Sequence, residues 1–306
     1  MQLIESDVEF WAQGQDGVHH VAQCARICYA SQRTDNDDQL VSRLMKNKHL
    51  SMFRHQTFYY HLPTGHNVPK EVTTYLQHNC YCSVVSRGSG RQTSKEMLIV
   101  LNGQFALEHS RIASVIAPYM VSESDYVRSA CSLKSERLRK RALLNLRFTV
   151  CVTTQISTSR ELNRKSPSNI AEQSTRYVNF GKRGGEICIC KPAEFDDWTK
   201  WQRRRMKFAW WIAEKVYLSL VRHSMADKNF NQSKYLEPQH ARGVLPLDTA
   251  TKVVYTYSGK EWKDIFDLRL RGTTGKPHPN AQEVCRKIHD EIVAKVLIYE
   301  QQQIEL

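Results

Sequence analysis

Arg160-Glu-Leu-Asn-Arg-Lys-Ser-Pro-Ser-Asn-Ile-Ala-Glu-Gln-Ser-Thr-Arg-Tyr177 gathers four cations, two carboxylates and four Ser/Thr hydroxyls around one proline. Such a density of donors marks a candidate anion site, since guanidinium groups grip phosphate or carboxylate through paired charge-assisted hydrogen bonds. The preceding Arg147-Phe-Thr-Val-Cys-Val-Thr-Thr-Gln155 is β-branched and apolar enough for a buried strand, and Ser157 to Lys165 reads as a helix opened by Ser/Thr. Pro167 disfavours helix at Ser166 and predicts a turn. Glu172, Ser174, Arg176 and Tyr177 then fall at the end of a strand-helix unit, where ligands commonly sit. A solvated helix carrying an ordinary Glu161–Lys165 pair is the plainer reading of the same residues.

The rest of the chain sets the frame. With 306 residues, 41% hydrophobic and 25% charged, it has the composition of a globular protein, read here as a single domain with longer loops near 86–95, 180–197 and 272–280. No apolar run approaches the roughly 20 residues of a membrane span, and Met1-Gln-Leu-Ile-Glu-Ser-Asp7 lacks the pattern of a signal peptide. The expected location is the cytoplasm. Nine cysteines, an odd number, fit a reducing compartment better than a disulfide framework. Cys80 with Cys82 and Cys188 with Cys190 are each expected on one strand face, a spacing that zinc sites seldom use, so no metal is expected. A formal charge of +13 points to anionic partners. Basic clusters at Lys134–Arg141 and Arg203–Lys207 lie in helical patterns, the second interleaved with Trp198, Trp201, Phe208, Trp210 and Trp211. Such indoles fill a core or subunit interface, or stack on nucleic-acid bases.

Periodicity predicts a strand over 2–10 and helices over 18–29 and 37–47. A strand over 55–62 precedes a helix over 68–78 with Pro69 in its first turn. Strands at 81–86 and 97–101 flank a Gly/Ser-rich loop that lacks any dinucleotide or P-loop spacing. Single helices are expected at 104–119, 123–144, 198–223 and 279–303. Antiparallel hairpins suit this order better than strict βαβ alternation, so the fold class is α+β: a mixed, mainly antiparallel sheet flanked by helices.

The segment 164–177 resembles the signature of the flavin-dependent thymidylate synthases, Arg-His-Arg-X-X-Ser-X-Asn-Glu-X-Ser-X-Arg-Tyr. Arg164, Glu172, Ser174, Arg176 and Tyr177 match, while Lys165 stands for the His, Ser166 for the second Arg, Asn169 for the Ser and Ala171 for the Asn. Further elements follow in family order. Arg26-Ile-Cys-Tyr29 is similar to an early Arg-X-Ser/Cys-Tyr/Phe element. Lys48-His-Leu-Ser-Met-Phe-Arg-His55 resembles Gly-His-X-Ser/Thr-X-X-Glu-His, with Arg54 reversing the charge of the usual Glu. Glu237–Pro246, Phe266-Asp-Leu-Arg269 and Ala281-Gln282 are similar to the closing elements.

The resemblance implies C5-methylation of a pyrimidine deoxynucleotide, dUMP by default, with methylenetetrahydrofolate as methylene donor and FAD, reduced by NADPH, as hydride source. By position it implies Arg269 as the catalytic cation facing the pyrimidine. Glu161, Ser174, Arg176, Tyr177 and Arg242 are implied to bind the substrate, and His55, Arg164, Lys165, Asn169 and Glu172 the flavin. A homotetramer with shared active sites is also implied. No cysteine need attack the base, and none carries a neighbourhood that marks a nucleophile. Lys165 keeps a donor but loses a planar ring, and Ser166 deletes a cation, so a related substrate such as dCMP stays open. So does a non-catalytic relative that binds nucleotides or nucleic acid.

Overall fold

The computed structural model describes residues 1–14, 16–30, 36–87, 95–163, 169–180, 187–221 and 235–300. The chain opens with β1 (Gln2–Ile4) and β2 (Asp7–Trp11), then α1 (Gly17–Tyr29) and α2 (Asp37–Lys46). A 3-10 turn, Leu50–His55, leads into β3 (Thr57–Leu62) and α3 (Lys70–His78). The strands β4 (Cys82–Arg87) and β5 (Glu96–Asn102) are followed by α4 (Gly103–Glu108), α5 (Ser110–Ile116) and the short β6 (Met120–Val121). Next come α6 (Glu123–Cys131), α7 (Glu136–Leu143), β7 (Arg147–Gln155), α8 (Ile156–Leu162), β8 (Ile170–Glu172) and β9 (Cys188–Cys190). The chain closes with α9 (Lys200–Leu220), α10 (Pro238–Ala241), β10 (Ala250–Ser258), α11 (Gly259–Arg269) and α12 (Pro279–Glu300).

The described strands form a sheet of order β2-β7-β10-β8, a second of order β4-β5-β3-β6, and a parallel pair β1-β9. Both four-stranded sheets are antiparallel throughout, so the fold is α+β with mainly antiparallel sheets. The central pair β7–β10 runs in continuous register from Gln155↔Ala250 to Arg147↔Ser258. Its alternation serves two layers, since successive strand residues face opposite ways. Phe148, Val150, Val152, Val253, Tyr255 and Tyr257 pack with Trp262 and Phe266 of α11 and Val284 and Ile288 of α12. Cys151, Val254 and Ala171 instead meet Trp11 and Cys24 under α1. Tyr59, Leu98 and Val100 of the second sheet join the first core, fusing the sheets through one apolar layer.

Several expected elements divide. The strand predicted over 2–10 is two, because β1 pairs with β9 while β2 pairs with β7. The helix expected over 104–119 breaks at His109, and that over 123–144 breaks before Ser135, whose hydroxyl accepts the Leu138 N–H and caps α7. Pro69 sits at the N-cap of α3 rather than inside it. Cys80 does not share a strand face with Cys82: the strand starts at Cys82, after a turn in which the Asn79 side chain accepts the Tyr81 N–H at 2.9 Å. The loop near 180–197 contains β9 and a 3-10 turn, Phe195–Asp197. No helix among the described residues is long and apolar enough to cross a membrane.

Candidate functional site

The signature enters the fold through β8, a three-residue edge strand that exists because β10 offers it a partner. Glu172 pairs with Val253 and therefore lies on the α8 face of the sheet, whereas Ala171 points to the α1 face. The Ser159 hydroxyl on α8 donates to Glu172 Oε1 at 2.7 Å, and the Ser159 carbonyl accepts the Tyr255 hydroxyl at 3.3 Å. Burial raises the Glu172 carboxyl above its ordinary value, opposed by the Ser159 hydrogen bond and the nearby Arg160 charge. Beside it, Asn163 Oδ1 is buried with no hydrogen-bond partner among the described residues; Asn169 Oδ1 is likewise unpaired but lies next to Thr256, whose N–H donates to the Asn169 carbonyl at 3.1 Å. Buried acceptors left unpaired are unusual in native proteins and mark a place where a donor belongs.

Two residues on, the chain reaches the surface. The Ser174 N–H donates to the Cys28 carbonyl at 2.9 Å, tying the turn to the end of α1. The Ser174 hydroxyl accepts the Arg176 N–H at 3.2 Å, and Arg242 Nη1 donates to Thr175 Oγ1 at 3.2 Å. The Arg176 guanidinium lies 5.2 Å over the Tyr177 ring, which in turn meets Tyr29 at 5.6 Å. Tyr177 and Tyr29 are 59% and 52% exposed, so this cluster of two guanidiniums, two hydroxyls and two open phenol rings faces solvent.

Arg269, at the end of α11, is held by one residue of α8. Its Nε donates to the Glu161 carbonyl and its Nη2 pairs with Glu161 Oε2, each at 3.0 Å. This half-buried grip uses two faces of the guanidinium and leaves Nη1 with no partner among the described residues.

His55 lies elsewhere. It is fully buried on the α1 face, opposite Glu172, and its Nδ1 is 2.8 Å from Thr256 Oγ1. Thr256 Oγ1 is 2.8 Å from Thr149 Oγ1, which lies 3.4 Å from His20 Nε2. His55 Nε2 and His20 Nδ1 make no well-aligned hydrogen bond among the described residues, with only the Ile170 backbone near His55 and the His55 backbone near His20 to favour a proton there. Burial first, then neighbouring positive charge including Arg147, lowers His55 to about 3 and His20 to about 4. In the single chain the His55 ring therefore touches no solvent and no open ligand surface. The neighbouring Arg54, which replaces an acid in the resembling motif, is met by Gln104 Oε1 and the Tyr81 hydroxyl. Gly103 lets α4 approach this turn, for a Cβ there would fall 2.7 Å from the Phe53 carbonyl.

The expected residues thus divide three ways. Ser174, Arg176, Tyr177 and Arg242 share the surface cluster, with half-buried Glu172 behind it; Glu161 and Arg269 form their own pair; Asn169 and His55 are buried on either side of Thr256, away from that cluster. Arg164 and Lys165 lie outside the described residues. Ser159, Asn163, Thr175, Thr251 and Tyr29 join the site without having been singled out. Of these, Tyr29 closes the early matching element, and Ser159 and Asn163 are spaced by one helical turn, which puts Ser159 of α8 and its C-cap Asn163 on one side. Arg26, in the early matching element, is spent on an ion pair with Asp37 at 2.6 Å. Burial pushes the thiols of Cys24, Cys28, Cys82, Cys131, Cys151, Cys190 and Cys285 upward, away from the thiolate.

The sequence profile of the family described as thymidylate synthase complementing protein matches residues 137–297, from α7 into α12. No curated protein matches the chain in sequence. Among solved structures, a UMP/dUMP methylase, PolB from Streptomyces cacaoi, bound with 5-Br dUMP, is similar at 15% identity. The likeness covers 96% of this chain and 93% of that one, with a TM-score of 0.39. The flavin dependent thymidylate synthase ThyX from Helicobacter pylori, complexed with FAD and dUMP, is similar at 14% identity over 56% of this chain and 78% of that one, with a TM-score of 0.36.

Proposed function

Because the chain belongs to the thymidylate synthase complementing protein family, we propose that it methylates C5 of a pyrimidine nucleotide, with dUMP as its default substrate. The observation that carries this reading is the surface cluster of Ser174, Thr175, Arg176 and Arg242 beside half-buried Glu172. A nucleoside monophosphate is a dianion with one flat ring. Arg176 and Arg242 would take its phosphate through charge-assisted bonds, with Ser174 as a neutral donor.

The flavin fits behind the substrate on chemical grounds. The unpaired Asn163 oxygen beside Glu172 suits the ring N–H of an isoalloxazine, and Glu172 adds a further acceptor. When bound and reduced by NADPH, FAD would supply the hydride that completes the methyl group delivered by methylenetetrahydrofolate. Arg269 would place positive charge at the pyrimidine carbonyl oxygens as negative charge develops there, and Glu161 would fix its direction. His55 does not fit a flavin contact in this geometry. Its role would be to pin the 3-10 turn to β10, and so to support β8 from behind.

Release of tritium from C5 of labelled dUMP, dCMP and UMP, with FAD, NADPH and methylenetetrahydrofolate present, tests the proposal. Release from one of the three identifies the base and, between dUMP and UMP, the sugar; silence on all three removes the methyltransferase reading.

A further inference from the structure

The helix α9 presents two unlike faces. Trp210, Glu214 and Tyr217 are buried against the β1–β9 pair, with Glu214 accepting the Ile187 N–H at 2.8 Å. Outward, Trp201 is 66% exposed, Phe208 55%, Trp211 48%, Ile212 42% and Val216 40%. At 3.6 residues per turn, Trp201, Phe208, Ile212 and Val216 fall along one stripe, with Trp211 at its edge. Arg204, Arg205 and Lys215, all exposed, fall on the same stripe. Arg205 lies 5.4 Å over the Trp201 ring, and Phe208 stacks on Trp211 at 6.1 Å. The helix carries six cations and one carboxylate, and that carboxylate is the buried Glu214.

We propose that this outward face of α9 binds single-stranded nucleic acid, with Trp201 and Phe208 stacking on bases and Arg204, Arg205 and Lys215 meeting phosphates. Charge and aromaticity share the face, as bases and phosphates alternate along a single strand. A helix lying in a lipid surface segregates its cations to the side opposite its apolar stripe, which α9 does not do. A second copy of the chain docked through this face would bring three cations of each partner together without an exposed acid on either helix. None of these outward residues is among those assigned to the nucleotide or the flavin, so failure of this proposal leaves the proposed methylation untouched.

Fluorescence anisotropy of a labelled 15-mer of deoxythymidine, titrated with the full chain, tests it. Saturable binding is expected, tighter for the single strand than for a duplex of equal length. Three phosphate contacts give a log–log salt slope of about −2, so affinity should fall about 20-fold between 50 and 200 mM salt. Trp201→Ala and Phe208→Ala, both at exposed positions, should each weaken binding about tenfold, while Arg205→Gln should flatten the salt slope by about 0.7. Equal affinity for duplex, indifference to the aromatic substitutions, or no binding at 50 mM salt overturns the proposal. Sedimentation and pelleting with vesicles of phosphatidylserine and phosphatidylcholine are run on the same variants. If Trp201→Ala dissociates an oligomer, or abolishes vesicle binding, and leaves oligonucleotide affinity unchanged, the face belongs to a second copy or to a membrane and the proposal falls.

Discussion

Lowering the pH from 7.5 to 5.0 should cost this fold about 4 kcal/mol through two histidines alone. His55 and His20 are neutral in the folded chain, lowered to about 3 and about 4 from the ordinary 6.5. Their folded values are depressed, so the stability they contribute is complete above about 6.5 and is lost as the pH falls toward the folded values. At pH 5.0 the unfolded imidazoles lie about 1.5 pH units below their midpoint, and each pH unit is worth about 1.36 kcal/mol per proton. Each histidine therefore favours unfolding by about 2 kcal/mol, against a total stability on the order of 5–15 kcal/mol. The physical cause is burial: a cation at His55 would be stripped of water with His20, Arg147 and Arg54 close by, against which the Ile170 backbone offers little.

Urea unfolding at the two pH values measures the sum, and His55→Gln isolates one share. Whatever its stability at pH 7.5, that variant should lose about 2 kcal/mol less than the parent on going to pH 5.0. Histidine carbon-proton resonances give the second readout: the His55 imidazole should stay neutral down to pH 5 and should not move when FAD is added. An unchanged pH 5.0 loss in His55→Gln, or an imidazole that titrates near 6.5 and shifts with FAD, refutes the buried-turn assignment and returns His55 to the flavin.

Three other outcomes follow from the geometry. Arg242→Ala and Arg176→Ala should each raise the nucleotide KM at least tenfold with little change in melting temperature, because a charge-assisted bond is worth about 1.5–3 kcal/mol and both residues are exposed; steady-state kinetics and a thermal melt check this. Glu161→Gln keeps the carbonyl that accepts Arg269 Nε but loses the ion pair, so kcat should fall by more than KM rises, while Glu161→Ala should fall further; equal kcat in all three would show that the pair does not orient the arginine. Ser258→Ala removes the capping box of α11, in which Glu261 also bonds back to the Ser258 N–H at 2.7 Å, and should cost about 0.5–2 kcal/mol in urea unfolding.

The central strand was legible because β7 carries its own evidence: nine residues with apolar side chains serving both faces. The helices α1, α2, α9 and α12 announced themselves by period in the same way. Most of what the sequence hid was a matter of distant partners. Nothing local says that Gln2–Ile4 pairs with Cys188–Cys190, or that Ile170–Glu172 is a strand; three residues have no propensity to speak of, and the register with β10 decides. Ser135 was the exception, a cap that could have been read and was absorbed into a longer helical period.

The site shows the same division. Arg176, Arg242 and Glu172 could be proposed as neighbours because a family pattern placed them in order, yet their layering comes from strand alternation. Glu172 turns inward because Val253 does, and Ser174 surfaces because its N–H is tied to Cys28 at the end of α1. His55 makes the complementary point. Its position in a motif implied a flavin contact, whereas Thr256 and Thr149, from strands far away in sequence, enclose its ring. Since β8 is an edge strand of only three residues, Glu172 depends for its placement on the 3-10 turn and α1 behind the sheet. A buried, neutral His55 stiffens that support through a bond to β10 that adds no charge near the candidate site. The same bond predicts where acid should act first: protonating the turn loosens the layer beneath β8, so substrate-cluster geometry should fail at a higher pH than the core packed around Trp262.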